Sequence, residues 1–427
     1  MQTIFALATA RGKAGVAVIR ISGPDAFSVG RKLVGTLPVP GRFALRNVVS
    51  ASDEPLDRGL VLVFEGPASF TGEDTIELQL HGSIAVVRAV EEAIQATGLA
   101  RLADAGEFTQ RALLNDTLDL TQVEGLGRLI DAETEAQRRI AQAGFEGSLS
   151  STAEAWRDKM IRVAALLEAS IDFADEEVPE DVVPEVLSLL DELLVSLRLE
   201  LEGAAVAERL NDGFEVAILG APNAGKSTLL NALAGRDVAI TSEIAGTTRD
   251  VIEARLDVNG LPVTFLDTAG LRETDDVVES IGVDRAIDRA RKADLRVLLE
   301  TDDWKDVNDL EGIVDLRYPA KSDVSGRTDG VSGLTGDGVS KLLADVERLL
   351  SERMAVVKSV ITDRQRGGVQ RSITGLEHAK SILAADQELE LAAEHTREAL
   401  RSLDSVIGRV DVESLLGEIF SRFCIGK

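Results

Sequence analysis

An eight-residue stretch near the middle of the chain, GAPNAGKS from Gly220 to Ser227, constrains the fold more than any other feature. It fits the pattern G-x-x-x-x-G-K-[ST], whose glycines let backbone N–H groups curl around an anion. The apolar stretch EVAILG leads into it as a predicted strand, and STLLNALAG follows as a predicted helix. Because the pattern requires a strand before the loop and a helix after it, the sequence predicts a phosphate-binding loop in an α/β domain.

The side chains of this loop and of a later DTAG stretch fit a bound nucleoside triphosphate. Lys226 is expected to reach the β- and γ-phosphates, and the Ser227 hydroxyl is expected to ligate Mg²⁺. DTAG follows the strand-like VTFL. Asp267 can therefore hold Mg²⁺ through water, while Gly270 brings its N–H toward the γ-phosphate.

A third stretch, AGTTRD at 245–250, lies between the first two. It offers Thr248 as a second hydroxyl ligand for Mg²⁺, with Thr247 as the alternative. Each short motif is weak alone, but the order and spacing of the three predict a nucleotide switch.

The KSD stretch from Lys321 to Asp323 favours guanine over adenine. The Asp323 carboxylate can accept two hydrogen bonds from the guanine N–H and NH₂ groups, and the lysine stem can cover the base. Translational GTPases and their relatives carry Asn-Lys-x-Asp here, whereas this chain has Ala320, which costs one hydrogen bond or about 1 kcal/mol. The next loop, SGL at 332–334, also departs from the usual Ser-Ala-Lys. GTP therefore remains the favoured nucleotide, with weakened affinity.

Hydrolysis needs a group that positions water and a charge that stabilises the transition state. Ras-like switches place glutamine directly after D-x-x-G, but this chain has Leu271, which cannot orient water. Asn223 is a neutral oxygen ligand, well placed for a monovalent cation that could replace an arginine finger. Glu279, in the RETDDVVES segment, is a candidate to position water, although a solvated carboxylate in an acidic loop is the simpler interpretation from the residues alone.

Composition limits the partners and the compartment. The chain has 427 residues, enough for two or three domains. Its 46 basic and 73 acidic residues give a net charge of −27, which repels phosphate backbones and anionic lipid. If the chain acts on RNA, another protein or a local patch must supply positive charge.

A single cysteine, Cys424, cannot form an internal disulfide and suits a reducing compartment. The three histidines and this thiol show no zinc-type cluster. The opening MQTIFALATARGK has the wrong charge polarity for a signal peptide, and no apolar run approaches the length of a membrane span. We therefore expect a cytoplasmic protein without membrane association.

The first 118 residues predict a mixed α and β domain. β-branched content and partial alternation indicate strands at 15–22, 60–65 and 75–82, and a helix is expected from Ser83 to Thr97. Turn signals such as SGPDA and FTGED separate these segments.

Helical spacing begins near residue 119, in segments 122–145, 148–172 and 182–210. An acidic, proline-bearing stretch at 174–185 predicts a break between helices. From 213 to about 350, strands alternate with helices, which favours a parallel sheet. Helical patterns then return to the end, so the simplest layout is a helical domain (119–212 with 351–427) interrupted by an α/β domain (213–350).

Six longer stretches match one known family along essentially the whole chain: VIRISGPDA, SFTGEDTIELQLHG, GEFTQRALLNDTLDLTQVEGLGRLIDA, GAPNAGKSTLLNALAGRDVAITSEIAGTTRD, DTAGLRETDDVVESIG and the terminal FCIGK. With these motifs the chain resembles the MnmE (TrmE) family of tRNA-modification GTPases, within the TrmE-Era-EngA-like group. The resemblance implies an α+β N-terminal domain (1–118) that binds folate and dimerises, a helical domain, and an inserted Ras-like P-loop GTPase domain.

The resemblance also implies a function. Family members form a homodimer and, with the FAD-dependent partner MnmG (GidA), a heterotetramer that acts on tRNA. They install a carboxymethylaminomethyl-type group on the wobble uridine, with a 5-formyl- or methylene-tetrahydrofolate as the one-carbon source. The GTPase domains of two subunits meet across K⁺ and hydrolyse GTP in the presence of Mg²⁺.

By the same resemblance, the K⁺ ligands are Asn223, Ser242, Ile244 and Thr247. The Mg²⁺ ligands are Ser227 and Thr248, Glu279 organises the attacking water, and Lys226 serves catalysis. The full set of nucleotide-site residues is Asn223, Ala224, Gly225, Lys226, Ser227, Thr228, Ser242, Glu243, Ile244, Ala245, Gly246, Thr247, Thr248, Asp267, Thr268, Ala269, Gly270, Lys321, Asp323 and Ser332.

Arg20, Glu77 and the terminal Lys427 match folate contacts of the family. A further contact is normally lysine, where this chain has Thr117, so Thr117 takes that position without the charge that anchors the acidic tail of the folate. From spacing alone, an arginine capping a strand end and a solvated strand carboxylate are the simpler interpretations of Arg20 and Glu77.

Cys424 lies in the C-x-G-K tail, which the resemblance places near the folate pocket. A thiol beside a one-carbon donor could act as a nucleophile, a proton shuttle or a sensor, or it could only pack. We hypothesise a functional role.

Two other functions remain open from the sequence. A GTP switch for RNA or ribosome assembly, without folate chemistry, accounts for 213–350 but leaves the first 118 residues and FCIGK unexplained. A stand-alone folate enzyme with a vestigial GTPase domain is kept open by Ala320, Gly333 and Leu334.

Overall fold

The computed structural model describes residues 1–172, 182–221, 223–236, 253–267, 291–301, 314–354, 361–385, 388–409 and Gly426. It divides into two compact units. The first comprises Met1–Gly127, Ser150–Asp158 and Leu400–Lys427, and the second comprises Arg128–Leu149 and Lys159–Ala399. Among the described residues, the helices include none that combines the length and the apolar character needed to cross a membrane.

The first unit contains a mixed sheet with helices. Its elements are β1 (Thr3–Leu7), β2 (Ala14–Ser22), α1 (Ala26–Val34), β3 (Phe43–Val49), β4 (Pro55–Phe64), β5 (Thr75–Gly82), α2 (Ile84–Ala96), β6 (Ala100–Leu102) and α3 (Glu107–Leu114). The strand order is β3-β4-β5-β2-β1-β6, and only the β1–β6 pair among these is parallel. The predicted strands at 15–22 and 75–82 and the helix near 83–97 are confirmed, and the predicted strand at 60–65 is the second half of β4.

Alternation along the strands of this sheet separates an apolar face from a mixed face. Ile19 and Ile21 of β2 belong to the core under α1 and α2. Arg20 lies between them and pairs in register with Glu77 of β5. The same face carries the small cluster of Ile4, Ala6, Ala103 and Phe108. One face of the sheet therefore forms the main core, and the other holds polar side chains together with this smaller apolar cluster.

Four helices precede the second sheet: α4 (Leu120–Asp131), α5 (Glu135–Phe145), α6 (Ser148–Asp172) and α7 (Val183–Asp212). The predicted helical segments 148–172 and 182–210 are confirmed. The segment 122–145 is two helices rather than one, because Thr134 caps α5. Its side chain accepts a hydrogen bond from the Gln137 N–H, and the Gln137 side chain bonds back to Thr134 in a capping box.

The second unit contains a largely parallel sheet. Its elements are β7 (Phe214–Gly220), α8 (Lys226–Ala234), β8 (Glu253–Val258), β9 (Leu261–Asp267), β10 (Leu295–Glu300), β11 (Leu316–Pro319), α9 (Ser322–Ser325) and α10 (Val339–Met354). The strand order is β11-β10-β7-β9-β8, with β8 antiparallel to β9. The predicted βα alternation is confirmed. The carboxyl ends of β7, β9 and β11 share one edge, where such sheets bind ligands.

Helices α11 (Asp363–Ala384) and α12 (Leu389–Ile407) follow, as the return of helical spacing predicts. The Ser372 hydroxyl of α11 donates to the Ala399 carbonyl of α12 at 2.9 Å. Gly375 brings the two helices close, because a Cβ there would lie 3.0 Å from the Ala399 Cβ.

Candidate nucleotide and ligand sites

The phosphate-binding loop joins the carboxyl end of β7 to α8. Gly220 has a φ of +153°, and a Cβ there would lie 2.9 Å from the Leu299 carbonyl oxygen, so only glycine fits. Asn223 at φ +62° and Gly225 at φ +97° then turn the chain into the helix. The first N–H groups of a helix lack intrahelical partners and favour an anion. The loop therefore directs the chain into a helix terminus suited to phosphate.

Lys226 and Ser227 of this loop both make hydrogen bonds through their side chains. Lys226 is 5% exposed, and its Nζ donates to the carbonyls of Gly220 at 2.8 Å and Ala221 at 2.9 Å. The Ser227 hydroxyl donates to Oδ2 of Asp267, at the end of β9, at 2.6 Å. A hydroxyl beside a carboxylate is the pair of oxygen groups that positions Mg²⁺ in P-loop proteins. The residues present therefore fit a magnesium nucleotide.

The two predicted base-recognition loops lie together. The Val331 N–H donates to the Pro319 carbonyl at 2.8 Å, and the Ser322 N–H donates to the Val331 carbonyl at 3.3 Å. Lys321 and Asp323 are both exposed at this place. The Asp323 carboxylate is therefore open to solvent beside the loop that begins at Ser332.

Contacts of Ala320 and Ser332 stabilise the two base-recognition loops, although position 320 lacks the usual asparagine. Ala320 is 8% exposed and forms an isolated parallel bridge with Val331. The Ser332 hydroxyl accepts the N–H groups of Leu334 at 3.2 Å and Thr335 at 3.3 Å. Backbone contacts and one buried serine therefore stabilise the base loops here.

The following predicted site residues lie outside the described residues: Ser242, Glu243, Ile244, Ala245, Gly246, Thr247, Thr248, Thr268, Ala269, Gly270, Glu279, Cys424 and Lys427.

In the first unit, Arg20 and Glu77 form a cross-strand ion pair. The Arg20 Nε and Nη2 atoms lie 2.9 and 2.8 Å from Oε1 of Glu77. The guanidinium also lies over the rings of Phe70, at 5.2 Å, and Phe108, at 5.7 Å. The side chains are 21% and 18% exposed, so each keeps an open side for a polar ligand.

Thr117 lies against the loop that carries Phe70. Its hydroxyl donates to the carbonyls of Ala112 at 2.8 Å and Phe70 at 3.1 Å. A lysine at this position would extend a charge that threonine lacks, so Thr117 supports the loop rather than supplying a cation to a ligand.

Gly426 lies against the sheet of the first unit. Gly426 is buried with a φ of +102°, and a Cβ there would lie 2.1 Å from the Leu7 carbonyl oxygen. Leu7 ends β1, and its neighbour Ala6 pairs with Arg20 of β2. The backbone of Gly426 therefore contacts the end of β1, the strand next to the one that bears Arg20.

A buried ionic network, which the sequence patterns did not predict, surrounds Arg111. Arg111 is 3% exposed, and its guanidinium donates to Glu73 at 2.9 Å and to Glu107 at 2.8 Å. It also donates to the Gln2 carbonyl at 2.7 Å. Glu73 additionally accepts the Ser22 hydroxyl at 2.9 Å. Arg111 therefore connects α3 to β1, β2 and the loop before β5.

Glu107 extends this network to the sheet edge. It accepts two hydrogen bonds from Arg101, at 2.8 and 2.6 Å, and one from the Asp104 N–H at 2.9 Å. Burial opposes ionisation of this carboxyl group, but these bonds and that from Arg111 outweigh it and lower the pKa of Glu107. The i, i+4 spacing of Glu107 and Arg111 was the available sequence signal, although such pairs are usually surface pairs.

Family models match nearly the whole chain. The model described as the MnmE helical domain matches residues 120–424. The model described as the N-terminus of the GTP-binding protein TrmE matches residues 3–117.

Full-length relatives agree with these models. The tRNA modification GTPase MnmE of Jannaschia sp. (strain CCS1) is 71% identical over 427 residues, which is 100% of both chains. The protein of the same name from Cereibacter sphaeroides (strain ATCC 17029 / ATH 2.4.9) is 56% identical over 433 residues, again covering 100% of both. Among solved structures, the G domain of the T. maritima FeoB iron transporter is 22% identical, covers 33% of this chain and 98% of that chain, and has a TM-score of 0.23, too low to support an inference.

Proposed function

Because the chain belongs to the MnmE family of tRNA modification GTPases, we propose that it hydrolyses GTP at the loop between β7 and α8 to support tRNA modification. The observation that carries this proposal is the contact between Ser227 and Asp267, 2.6 Å apart, beside the buried Lys226. The model of the TrmE N-terminus matches residues 3–117. A protein that acted only as a GTP switch, through the second unit, would give this matched domain no role.

The residues of this loop divide the work of phosphoryl transfer. Lys226 leaves its carbonyl partners to neutralise the β- and γ-phosphates, and the start of α8 holds the remaining oxygens. Ser227 and Asp267 would hold Mg²⁺, with Thr248 as a further ligand and Thr247 as the alternative. Mg²⁺, when bound, neutralises charge that develops on the phosphates. Asp323 and Lys321 recognise the guanine base.

Potassium is proposed to complete the site in a dimer of GTPase domains. Asn223 is exposed in the left-handed region at φ +62°, at the outer turn of the loop. Its amide oxygen, with Ser242, Ile244 and Thr247, would ligate the ion, and Glu279 would position water. A cation at this place supplies positive charge where Ras-like proteins use an arginine finger.

We expect hydrolysis to depend on K⁺ and on protein concentration. Replacing Na⁺ by K⁺ should raise kcat by at least about 10-fold, since the ion stabilises charge in the transition state. The rate per subunit should also rise with protein concentration as the domains pair. Phosphate release at saturating GTP measures both, and Asn223→Ala should lose the K⁺ response.

Equal rates in Na⁺ and K⁺, unchanged by protein concentration, would contradict the potassium site. Lys341→Ala is a suitable control for Asn223→Ala because Lys341 is exposed on α10 and is not part of the phosphate-binding loop, residues 220–227.

A tetrahydrofolate derivative, 5-formyl- or methylene-tetrahydrofolate, is the proposed ligand of the first unit. The arrangement that supports it is Arg20, which stacks on two aromatic rings, pairs with Glu77 and keeps an open side. The pterin ring offers flat faces and polar edges that suit such a group. Gly426 contacts the end of β1, which supports the proposal that Lys427 and Cys424 act near this ligand. Thr117 supplies no positive charge.

Arg20→Met should weaken binding of 5-formyl-tetrahydrofolate by about 10-fold or more, the effect of losing one charged hydrogen bond. Fluorescence titration of the full-length protein measures the dissociation constant. Arg31→Met is the matched control, because Arg31 is exposed on α1, which covers the opposite face of the sheet. Equal affinities of the two variants would argue against a folate contact at Arg20.

The remaining proposals concern assembly. Phe43, Leu45 and Leu60 are 69%, 48% and 36% exposed on one face of the β3–β4 pair, an apolar surface suited to a homodimer contact. We propose a homodimer that joins MnmG in a heterotetramer and meets tRNA through that complex, since the net charge is −27. The single cysteine and the tRNA substrate favour a cytoplasmic location.

The proposed domain boundaries are 1–118 for the N-terminal domain, 119–212 and 351–427 for the two parts of the helical domain, and 213–350 for the GTPase domain.

A further inference from the structure

We propose that Asn115 is a positioning residue for the proposed folate site of the first unit, because its side chain fixes a loop whose aromatic ring supports Arg20. This loop, residues 65–74, joins β4 to β5, and Phe70 lies within it. The inference rests on the proposed folate binding and adds a residue that acts through the arginine rather than on the ligand.

The guanidinium of Arg20 is held by an ion pair and by two rings. Oε1 of Glu77 lies 2.8 Å from its Nη2 atom. The guanidinium carbon lies 5.2 Å from the centroid of the Phe70 ring and 5.7 Å from that of Phe108. A guanidinium that is held before a ligand arrives loses less side-chain freedom on binding, so its geometry contributes to affinity. Displacement of one ring should therefore weaken a ligand contact made by Arg20.

Backbone hydrogen bonds hold the end of α3, from which Asn115 projects. The Asn115 N–H donates to the Arg111 carbonyl at 2.9 Å. The Thr117 N–H donates to the Ala112 carbonyl at 2.9 Å. Phe108 belongs to α3 itself, so this helix positions one of the two rings directly. The other ring belongs to the β4–β5 loop and depends on contacts between that loop and the helix end.

Two side chains at this helix end bond to the β4–β5 loop. Nδ2 of Asn115 donates to the Thr71 carbonyl at 2.6 Å. The Thr117 hydroxyl donates to the Phe70 carbonyl at 3.1 Å and also to the Ala112 carbonyl at 2.8 Å, so its proton is shared between two acceptors. The two peptide groups that follow the Phe70 ring are therefore both held, and Asn115 makes the shorter bond to the loop.

The loop also packs closely against the same two residues. Gly72 has a φ of +75°, and a Cβ there would lie 3.0 Å from the Asn115 Cβ and 3.2 Å from the Thr117 Cγ2. Without the bond from Asn115, the Thr71 carbonyl would need a water molecule as its donor. That water would separate the loop from α3 and move the Phe70 ring away from the guanidinium.

Asn115→Ala tests the proposal through its coupling to Arg20. Asn115 is exposed, so the variant should keep the fold. The dissociation constant of 5-formyl-tetrahydrofolate, measured by fluorescence titration of the full-length protein, should rise by about 5- to 10-fold, the effect of one lost hydrogen bond. In an Arg20→Met background the same substitution should change the constant by less than about 2-fold, because a residue that acts through Arg20 loses its effect once the guanidinium is gone.

Phe70→Leu gives an independent version of the same test. It keeps an apolar side chain against the cluster that contains Phe108 and removes the ring face, so its effect on affinity should also disappear in the Arg20→Met background. Leu114→Ala is the control, because Leu114 is 51% exposed at the end of α3 and directly precedes Asn115. It should leave the affinity unchanged in both backgrounds.

Equal losses from Asn115→Ala with and without Arg20 would overturn the proposal, because they would show general damage to the first unit. Wild-type affinity in Asn115→Ala would overturn it too, and would leave the proposed folate site intact. Failure of the wild-type protein to bind 5-formyl-tetrahydrofolate, or equal binding by the wild-type and Arg20→Met proteins, would contradict both this inference and the proposed folate contact at Arg20.

Discussion

Lys226→Ala is expected to lower the rate of GTP hydrolysis at saturating nucleotide by about 100- to 1,000-fold, the usual effect of removing one group that stabilises transition-state charge. Lys226 is 5% exposed, and its Nζ already lies within 2.9 Å of two loop carbonyls, so its charge is held at the loop. Ser227 and Asp267 remain in place in this variant. Phosphate release in K⁺ and Mg²⁺ gives the rate.

The control is Lys341→Ala, which removes an exposed lysine from α10 in the same unit. It should hydrolyse GTP at the wild-type rate. A Lys226→Ala protein with nearly wild-type kcat would place the phosphoryl-transfer site elsewhere.

Arg111→Met is expected to destabilise the sheet of the first unit by about 3–5 kcal/mol, because it takes the cationic partner from the buried Glu73 carboxylate and one of two arginine partners from Glu107. Glu73 and Glu107 both accept from this guanidinium, and their side chains are only 16% and 10% exposed. Native-state hydrogen exchange of the full-length protein, followed at amides of β2 and β5, measures the free energy of opening.

Arg88→Met provides the comparison for this prediction. Arg88 pairs with Glu92 on α2, and the two side chains are 80% and 64% exposed. Such a surface pair contributes about 0–1 kcal/mol. Equal losses in the two variants would show that the buried network adds nothing beyond a surface ion pair.

Sequence patterns predicted the second unit well because its constraints are local. The glycine loop, the strand before it and the helix after it are adjacent in the chain, and each has its own periodicity. Asp267 could be placed near Ser227 because parallel strands end at one edge of a sheet. The hydrogen bond between them at 2.6 Å agrees with that placement.

Sequence patterns did not predict the features that depend on tertiary packing. The end of α4 and the start of α5 were missed because Thr134 and Gln137 interrupt a continuous apolar spacing by capping. The buried position of Arg111 depends on Gln2 and Glu73, which are distant in the sequence. The close approach of Gly333 to α8, where a Cβ would lie 2.5 Å from the Leu229 nitrogen, is likewise a contact between elements that are distant in the sequence.

The most direct test of the account is a reconstituted modification reaction with wild-type protein, MnmG, unmodified tRNA, GTP, K⁺, Mg²⁺ and methylene-tetrahydrofolate. Mass spectrometry of the digested tRNA measures the modified wobble uridine. Product is expected with the wild-type and Lys341→Ala proteins, and little or none with Lys226→Ala. Full modification by a Lys226→Ala protein that no longer hydrolyses GTP would contradict a need for GTP hydrolysis in the modification.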